Sequence, residues 1–353
     1  MDLMLSIAIF IIVLFLYVHI IAQYKRSEDL EIYEMDYINN KQLQEVCDIK
    51  QPVLFEFQSV DSTLFENINA KVLSNSAINN DVVVKDTNDY YTESDNPSDY
   101  IILPFQSFNQ LTKTDPSAHF ITENNDDFVE ESGFTSAFQS SSSYLKPSMI
   151  IQTKYDICTG SRGSSTVFRY HNHYRHFLIV TSGKLRVKMT PWKSSKYLHP
   201  IKDYDSFEFR SPINVWKPQK KYANDIDKVR FLEFDVETGY VLYIPPYWWY
   251  SIQYVTNEDT IVCTATYNSF INIMANTKDW VLYFIQQQNI HKKLLKSKDV
   301  KTKKIEIQEI ENEKEKEKDD GKKETSSTNI TPIQPQPPQD INVLLEQLKY
   351  TTA

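Results

Sequence analysis

A stretch of twenty residues near the start, Leu3 to Ala22 (LMLSIAIFIIVLFLYVHIIA), carries no formal charge and is interrupted only by Ser6 and His19. Coiled as a helix at roughly 1.5 Å per residue, it spans about 30 Å, the thickness of a bilayer's hydrocarbon layer. Residues 3–22 are therefore read as a transmembrane helix in contact with lipid. A cleavable signal peptide is the competing reading. It is disfavoured because no basic residue precedes the run, the run is long for a signal core, and no clear small-x-small cleavage site follows. Orientation comes from the flanks, since Asp2 stands before the span and Lys25 and Arg26 stand directly after it. Basic residues remain on the cytosolic side, so the rest of a single-pass protein is expected in the cytosol. His19 is expected near the interface, without proton or ion chemistry.

Beyond this segment the chain has the material of one large globular domain. Of its 353 residues, 41% are hydrophobic and 13% aromatic, enough for a substantial core. Only six glycines occur, and neither a GxGxxG nor a Walker-type loop is present, which argues against a phosphate cradle. The formal charge of -9 offers no general attraction to a phosphate backbone, so no nucleic-acid partner is expected. Cys47, Cys158 and Cys263 are odd in number and lack metal-site spacing, which disfavours both a disulfide framework and a zinc finger.

The far end, residues 296–353, begins as a mixed charge run and becomes rich in Pro and Gln. It is read as a disordered tail with a short amphipathic helix near 341–350. Between anchor and tail, residues 30–295 are mostly strand-like. Runs at 52–57, 81–85, 149–153, 177–180, 184–189, 231–236, 240–244 and 260–267 are rich in β-branched and aromatic residues. Turn signals at Ser182-Gly183 and Thr238-Gly239 punctuate the central ones. Helical spacing appears at 39–48 and 277–288. The expected fold class is mainly β with flanking helices, with many short strands closed into a barrel or jelly roll.

Two stretches say more. Residues 166–200 read TVFRYHNHYRHFLIVTSGKLRVKMTPWKSSKYLHP, and residues 231–252 read FLEFDVETGYVLYIPPYWWYSI. Together they resemble the JmjC or cupin-like hydroxylases, in which a double-stranded β-helix holds iron and 2-oxoglutarate. The first resembles the family's HxDxxxN, strand, Gly turn and strand. The second resembles its G-D-x-L-y-I-P-x-x-W-W-H. The likeness extends upstream through Ile49 to Phe57 and the segment 103–111.

The resemblance implies where ligands would fall. An iron site of this class takes two imidazoles and a carboxylate. Counting back from His176, at the family's Asn position, places Tyr170 at the first His and Asn172 at the Asp. The WWH histidine becomes Tyr250, and the lysine that anchors 2-oxoglutarate becomes Leu185. A phenol with a pKa near 10 is a reluctant ligand, and an amide brings no negative charge. The expectation is thus a pseudoenzyme with no catalytic residue, no metal and no cofactor, acting in binding or scaffolding for an unknown protein partner. The alternatives are an active Fe(II)/2-oxoglutarate hydroxylase with unusual ligands, or a structural viral protein of a host or virion membrane. The Asn-, Lys-, Ile- and Tyr-rich composition of an AT-rich genome points toward the latter.

The remaining readings follow from parity and context. Lys184, Arg186 and Lys188 alternate with Leu185, Val187 and Met189, so the basic stripe is expected outward and the apolar one inward. His171 and His173 share a strand face opposite to Tyr170 and Asn172. If the latter pair points in, the histidines lie outside, and with His176 they are read as surface or loop residues rather than as a zinc or displaced-iron site. Asp126-Asp127 and Glu130-Glu131 are read as a solvated loop, and Ser140 to Ser143 have no nucleophile-elbow context. The helix after the barrel, through 295, is expected either to pair two copies as a homodimer or to cap its own sheet.

Overall fold

Alternation of apolar and polar residues dictates strands, and the computed structural model, which describes residues 2–91, 100–255 and 259–289, has fifteen among them. The tail expected over 296–353 lies outside the described residues. The first strands are β1 (Tyr33–Glu34), β2 (Val53–Glu56), β3 (Asp81–Asp86), β4 (Tyr100–Pro104) and β5 (Phe120–Thr122). Next come β6 (Ile150–Gly160), β7 (Arg169–Tyr170), β8 (Arg175–Ser182) and β9 (Lys184–Thr190). The last are β10 (Ile201–Asp203), β11 (Glu208–Arg210), β12 (Leu232–Glu237), β13 (Tyr240–Tyr243), β14 (Trp249–Tyr254) and β15 (Ile261–Ser269).

They form two sheets, ordered β1-β2-β13-β8-β15-β6-β5-β3-β4 and β10-β11-β7-β14-β9-β12. Apart from the short parallel pair β1-β2, the described pairings are antiparallel. Side chains alternate across both. In β8, Leu178 and Val180 face the second sheet, while Phe177 and Ile179 face a separate core on the other side. In β9, Leu185, Val187 and Met189 are fully buried toward the first sheet, opposite Tyr254, Ile252 and Tyr250 of β14. Lys184, Arg186 and Lys188 face the other way and pair with Asp235, Glu237 and Glu233 of β12, so the expected basic stripe is half of a cross-strand ion-pair ladder.

Helices close the outer face of the larger sheet. The helix Asn40–Cys47 starts on Asn39, whose side chain accepts the Gln42 N–H at 2.9 Å. Arg175, fully buried on β8, bonds this helix through Gln44 Oε1 at 2.9 Å and Asp48 Oδ1 at 2.5 Å. The helices Thr63–Asn67, Phe105–Thr114 and Thr135–Leu145 contribute Leu64, Phe65, Phe105, Phe108, Phe138 and Leu145 to the same core. The acidic residues expected in a loop instead form the short helix Asp126–Glu131, because Phe128 and Val129 between them have a core to enter. The three cysteines are buried and unbridged.

Residues up to Phe284 form one compact unit; of the second, beginning at Ile285, only 285–289 are described, as helix. Within the first unit the N-terminal helix Asp2–Gln23 contains one apolar span long enough to cross a membrane, Leu3–Gln23, with mean hydropathy 2.8 and no part buried in protein. Its end is fastened to the barrel. The Tyr24 hydroxyl donates to the Ala275 carbonyl of the helix Phe270–Ala275, and the Arg26 guanidinium lies 4.3 Å from the ring centres of both Trp192 and Tyr247.

Candidate functional site

The space between the sheets is part apolar and part polar. Where it turns polar, a cavity of about 370 Å³ is walled by Lys85 of β3, Glu123, Arg169 of β7, His176 of β8, Tyr250 of β14 and Thr266 of β15, among others. Phe207, Trp280 and Tyr283 also line it.

Strand phase does not settle which side chains reach this cavity. Strand β7 ends at Tyr170, and Arg169, Tyr170, His171 and His173 all line the cavity together with His176, whereas Asn172 does not. The histidines expected outside line the cavity, His171 and His176 buried and His173 half-buried, their ring centres 4.7 Å (His171–His176), 5.3 Å (His171–His173) and 6.3 Å (His173–His176) apart.

The four positions aligned with iron ligands and co-substrate anchor separate accordingly. Tyr250 stands in the cavity, its hydroxyl 3.5 Å from His176 Nε2. Tyr170 borders the cavity, but its ring belongs to an aromatic cluster, stacked on Phe209 at 5.2 Å and edge-on to Trp249 at 4.8 Å and Trp192 at 4.9 Å. Asn172 turns toward the helix Phe270–Ala275 and beyond: its carbonyl accepts from Asn272 Nδ2 at 3.0 Å, and its amide lies 3.5 Å from Asp279 Oδ2. Leu185 is buried between the sheets beside Val236 and Tyr254, and does not line the cavity.

The Pro-Trp-Trp corner holds the histidine segment in place. After Pro245 and Pro246 the backbone turns through Tyr247 at φ +68°, a left-handed conformation that a non-glycine residue adopts at a cost. The turn aims the Tyr247 N–H at the His171 carbonyl, 2.8 Å away, and its hydroxyl at Asn276 Oδ1, 3.2 Å away. Trp248 and Trp249 then spend their indole N–H groups on the Lys50 carbonyl at 3.1 Å and Ser195 Oγ at 2.7 Å.

The charges in the wall are matched. Glu123 accepts from Lys85 Nζ at 3.0 Å and from Arg169 Nη1 and Nη2 at 2.8 and 2.5 Å, and Arg169 Nη1 also reaches Glu208 at 2.9 Å. Burial opposes ionisation of Glu123, but Arg169 and Lys85 outweigh it and hold its carboxyl well below the usual range. Asp156 accepts the backbone N–H groups of Asn124 and Asn125, both at 2.7 Å, yet burial still raises its pKa. Burial lowers His171 and His176 well below the ordinary imidazole value, and brings His173 to about 4 against the opposing effect of its hydrogen bond to Asn268 Oδ1. Tyr250 is raised by burial, with Arg169 opposing.

The hydrogen-bond pattern among the imidazoles is uneven. His176 Nδ1 lies 2.8 Å from Thr266 Oγ1, and His173 Nδ1 lies 3.3 Å from Asn268 Oδ1. His171 is buried; neither ring nitrogen meets full hydrogen-bond geometry, although the nearby Ile244 backbone favours its protonated form.

Facing antiparallel sheets around a cavity lined by imidazoles, a phenol and paired charges define a double-sheeted β-barrel. The chain belongs to the cupin-like domain family, which it matches over residues 33–276. Among curated proteins it is similar to HSPB1-associated protein 1 of Rattus norvegicus and of Mus musculus. Each is 27% identical over 115 residues, a stretch that is 32% of this chain. That stretch is 23% of the length of each of those relatives.

The resemblance to iron- and 2-oxoglutarate-dependent hydroxylases makes a further demand on these residues. On the register expected from the sequence, the side chains at those positions are two phenols, an amide and a leucine, of which Tyr250 and Tyr170 line the cavity. Of the cavity's carboxylates, Glu123 and Glu208 are bonded to cations, Asp156 to two backbone N–H groups, and Asp126 pairs with Lys154 at 3.1 Å. Leu185 has no charge to meet a carboxylate. These positions therefore do not fit a two-imidazole, one-carboxylate iron site with its co-substrate anchor.

Sequence reasoning overlooked Lys85, Glu123 and Arg169. Two cations and a carboxylate within or beside otherwise apolar strand runs were the available signal, since buried charges require partners.

Proposed function

We propose that this chain is a single-pass membrane protein whose cupin-like barrel binds rather than oxidises. The observation that carries this reading is the engagement of the carboxylates lining the cavity, Glu123, Glu208, Asp156 and Asp126, by other protein groups, which leaves none of them free to complete an iron triad with the cavity imidazoles. What remains suits recognition of a small polar ligand: the buried His171 imidazole, the Tyr250 hydroxyl, and aromatic rings at Phe207, Trp280 and Tyr283. The apolar helix with Lys25 and Arg26 behind it supports an anchor with the barrel on the cytosolic side. The packing of Tyr24 and Arg26 on the barrel supports retention of that helix.

The test is metal analysis of the full chain in detergent after anaerobic iron loading, paired with an assay for succinate release from 2-oxoglutarate. The expected result is no succinate above the protein-free rate. Stoichiometric iron with succinate release overturns the reading in favour of an oxygenase with unusual ligands. Resistance to alkaline carbonate extraction tests the anchor, and full extraction refutes it.

A further inference from the structure

We propose that one end of the barrel, the end that holds the apolar helix, lies against a leaflet containing anionic phospholipid. Met149, Phe270, Val281 and Phe284 are the side chains that enter the interface, and Lys193, Lys196 and Lys228 are those that meet the anionic headgroups. This inference rests on the reading of residues 3–22 as a membrane anchor and adds the surface that the barrel itself presents to lipid.

Topology puts both attachments of the anchor at that one end. The strands β8 and β9 are joined at Gly183, so the start of β8 and the end of β9 share the opposite end of the barrel. There Arg175 of β8 stands opposite Tyr267, and β15 runs directly into the helix Phe270–Ala275. From the end of β9 the chain passes, one residue later, into the 3₁₀ helix Trp192–Tyr197. The apolar helix packs along Phe270–Ala275, where Tyr24 bonds the Ala275 carbonyl, and Arg26 lies over Trp192. Glu28 follows, its carboxylate accepting the Lys193 N–H at 3.1 Å and its carbonyl accepting from Lys193 Nζ at 2.7 Å. Residues 24–28 thus hold the span against this end, which cannot stand far from the bilayer surface.

Exposed apolar residues gather at the same end. Phe270 is 55% exposed at the start of its helix. The pairing of β6 with β15 ends at Ile150 opposite Ser269, which brings Met149, 87% exposed, to that end as well. After a turn at Asn276 the chain is helical again from residue 277. Trp280 stacks on Phe207 at 4.6 Å and Tyr283 meets the same ring at 5.4 Å, so one face of this helix is spent on the barrel. Val281 and Phe284, three residues apart, share another face and remain 48% and 61% exposed. Apolar side chains grouped in this way mark a contact surface, and the surface adjoining this one is the bilayer that the neighbouring helix crosses.

Charge selects the lipid. The chain is acidic overall, with a formal charge of -9, so an anionic leaflet repels it except where basic groups stand in front. Lys193 and Lys196 of the 3₁₀ helix are exposed, as is Lys25 directly behind the span. Lys196 and Lys228 flank one ring, with their Nζ atoms 4.8 and 5.4 Å from the centre of Tyr197. Leu232 of β12 pairs with Met189 near the end of β9, which places Lys228, just before β12, at this end too. Glu28 offsets part of the charge, as does Asp225, 3.3 Å from Lys228 Nζ, and the balance stays positive. Basic side chains at such a surface are held by the negative potential of phosphatidylserine, which fades within a Debye length.

The experiment reconstitutes the full chain in vesicles of phosphatidylcholine mixed equally with phosphatidylserine. Bimane is attached through Phe284→Cys or, separately, Met149→Cys; the native cysteines are buried. A spin label on a shallow acyl carbon of the lipid should quench most of the emission from either site. Lys71→Cys is the control, because Ala70 bonds Ser182 at the far end of β8. The nine residues of β15, at roughly 3.3 Å each, put about 30 Å between the two ends. The control label should stay bright and open to aqueous iodide. Vesicles of phosphatidylcholine alone, or Lys193→Glu combined with Lys196→Glu, should remove much of the quenching at position 284. Labels at 284 and 71 equally open to iodide overturn the inference, as does quenching indifferent to phosphatidylserine. A label at 284 that is shielded only at high protein density makes the face a contact between copies and overturns it as well. Alkaline carbonate separates the two readings: a released chain defeats the anchor and this inference together, whereas a retained chain with position 284 open to iodide defeats this inference alone.

Discussion

Glu123 and Arg169 meet as a two-pronged ion pair in the cavity wall, with Nη1 2.8 Å from one carboxylate oxygen and Nη2 2.5 Å from the other. Lys85 adds a third bond to the same carboxylate. Removing one member of such a buried set strands the others, so Glu123→Ala should destabilise by about 3–5 kcal/mol. Urea unfolding of the full chain measures this, and a loss under 1 kcal/mol shows the pair to be solvated.

Arg175 joins the sheet to the first outer helix through Gln44 and Asp48. A lysine keeps the charge but loses the planar fork. Arg175→Lys should therefore cost about 1.5–3 kcal/mol, the range for hydrogen bonds to charged groups. Thermal unfolding at fixed detergent concentration reads the change; an unaltered midpoint contradicts the role given to the guanidinium.

Gly183 turns β8 into β9 at φ +74°, and a Cβ there would come within 2.4 Å of Thr260 Oγ1 and 2.9 Å of its Cα. The second contact is backbone and cannot rotate away. Gly183→Ala should cost about 1–3 kcal/mol through overpacking, before the penalty for left-handed backbone is counted. Wild-type stability in that variant would mean the turn can relax.

The buried imidazoles make stability depend on pH. Unfolded, they titrate near 6.5. Folded, His173 titrates at about 4, and His171 and His176 are also lowered. Between these values the unfolded chain binds more protons, so stability is fully present above about 6.5 and declines as pH falls toward 4. Each imidazole contributes up to about 1.4 kcal/mol per pH unit within that window. Denaturant midpoints taken from pH 7 to pH 5 with chelator present should drop, and His173→Gln should flatten the slope. A level profile counts against burial of the three rings.

Strand phase explains what the sequence made legible. In Lys184 to Met189 the two alternating sets differ sharply in hydropathy, so only one phase buries apolar surface. In Arg169 to His173 both sets mix polar and aromatic groups, and hydropathy cannot choose between them. The strand moreover ends at Tyr170, so period-two alternation could not place His171 and His173, which follow it in irregular backbone. The acidic segment 126–131 misled for another reason: Phe128 and Val129 are two core contacts among four carboxylates, and composition weighs the four. Arg175 was illegible because its partners Gln44 and Asp48 are far away in the chain. By contrast, the paired tryptophans of the corner were readable, because a Pro turn followed by two indoles has few uses other than packing.

The Arg26 clamp sets the mechanical character of the whole. Trp192 and Tyr247 grip the chain three residues past the apolar helix, so no slack leash separates the helix from the barrel. Tilting or tugging that helix delivers torque directly to Tyr247, whose N–H holds the His171 carbonyl. Tyr247 thus touches both the Arg26 guanidinium beside the N-terminal helix and the backbone of the imidazole pocket.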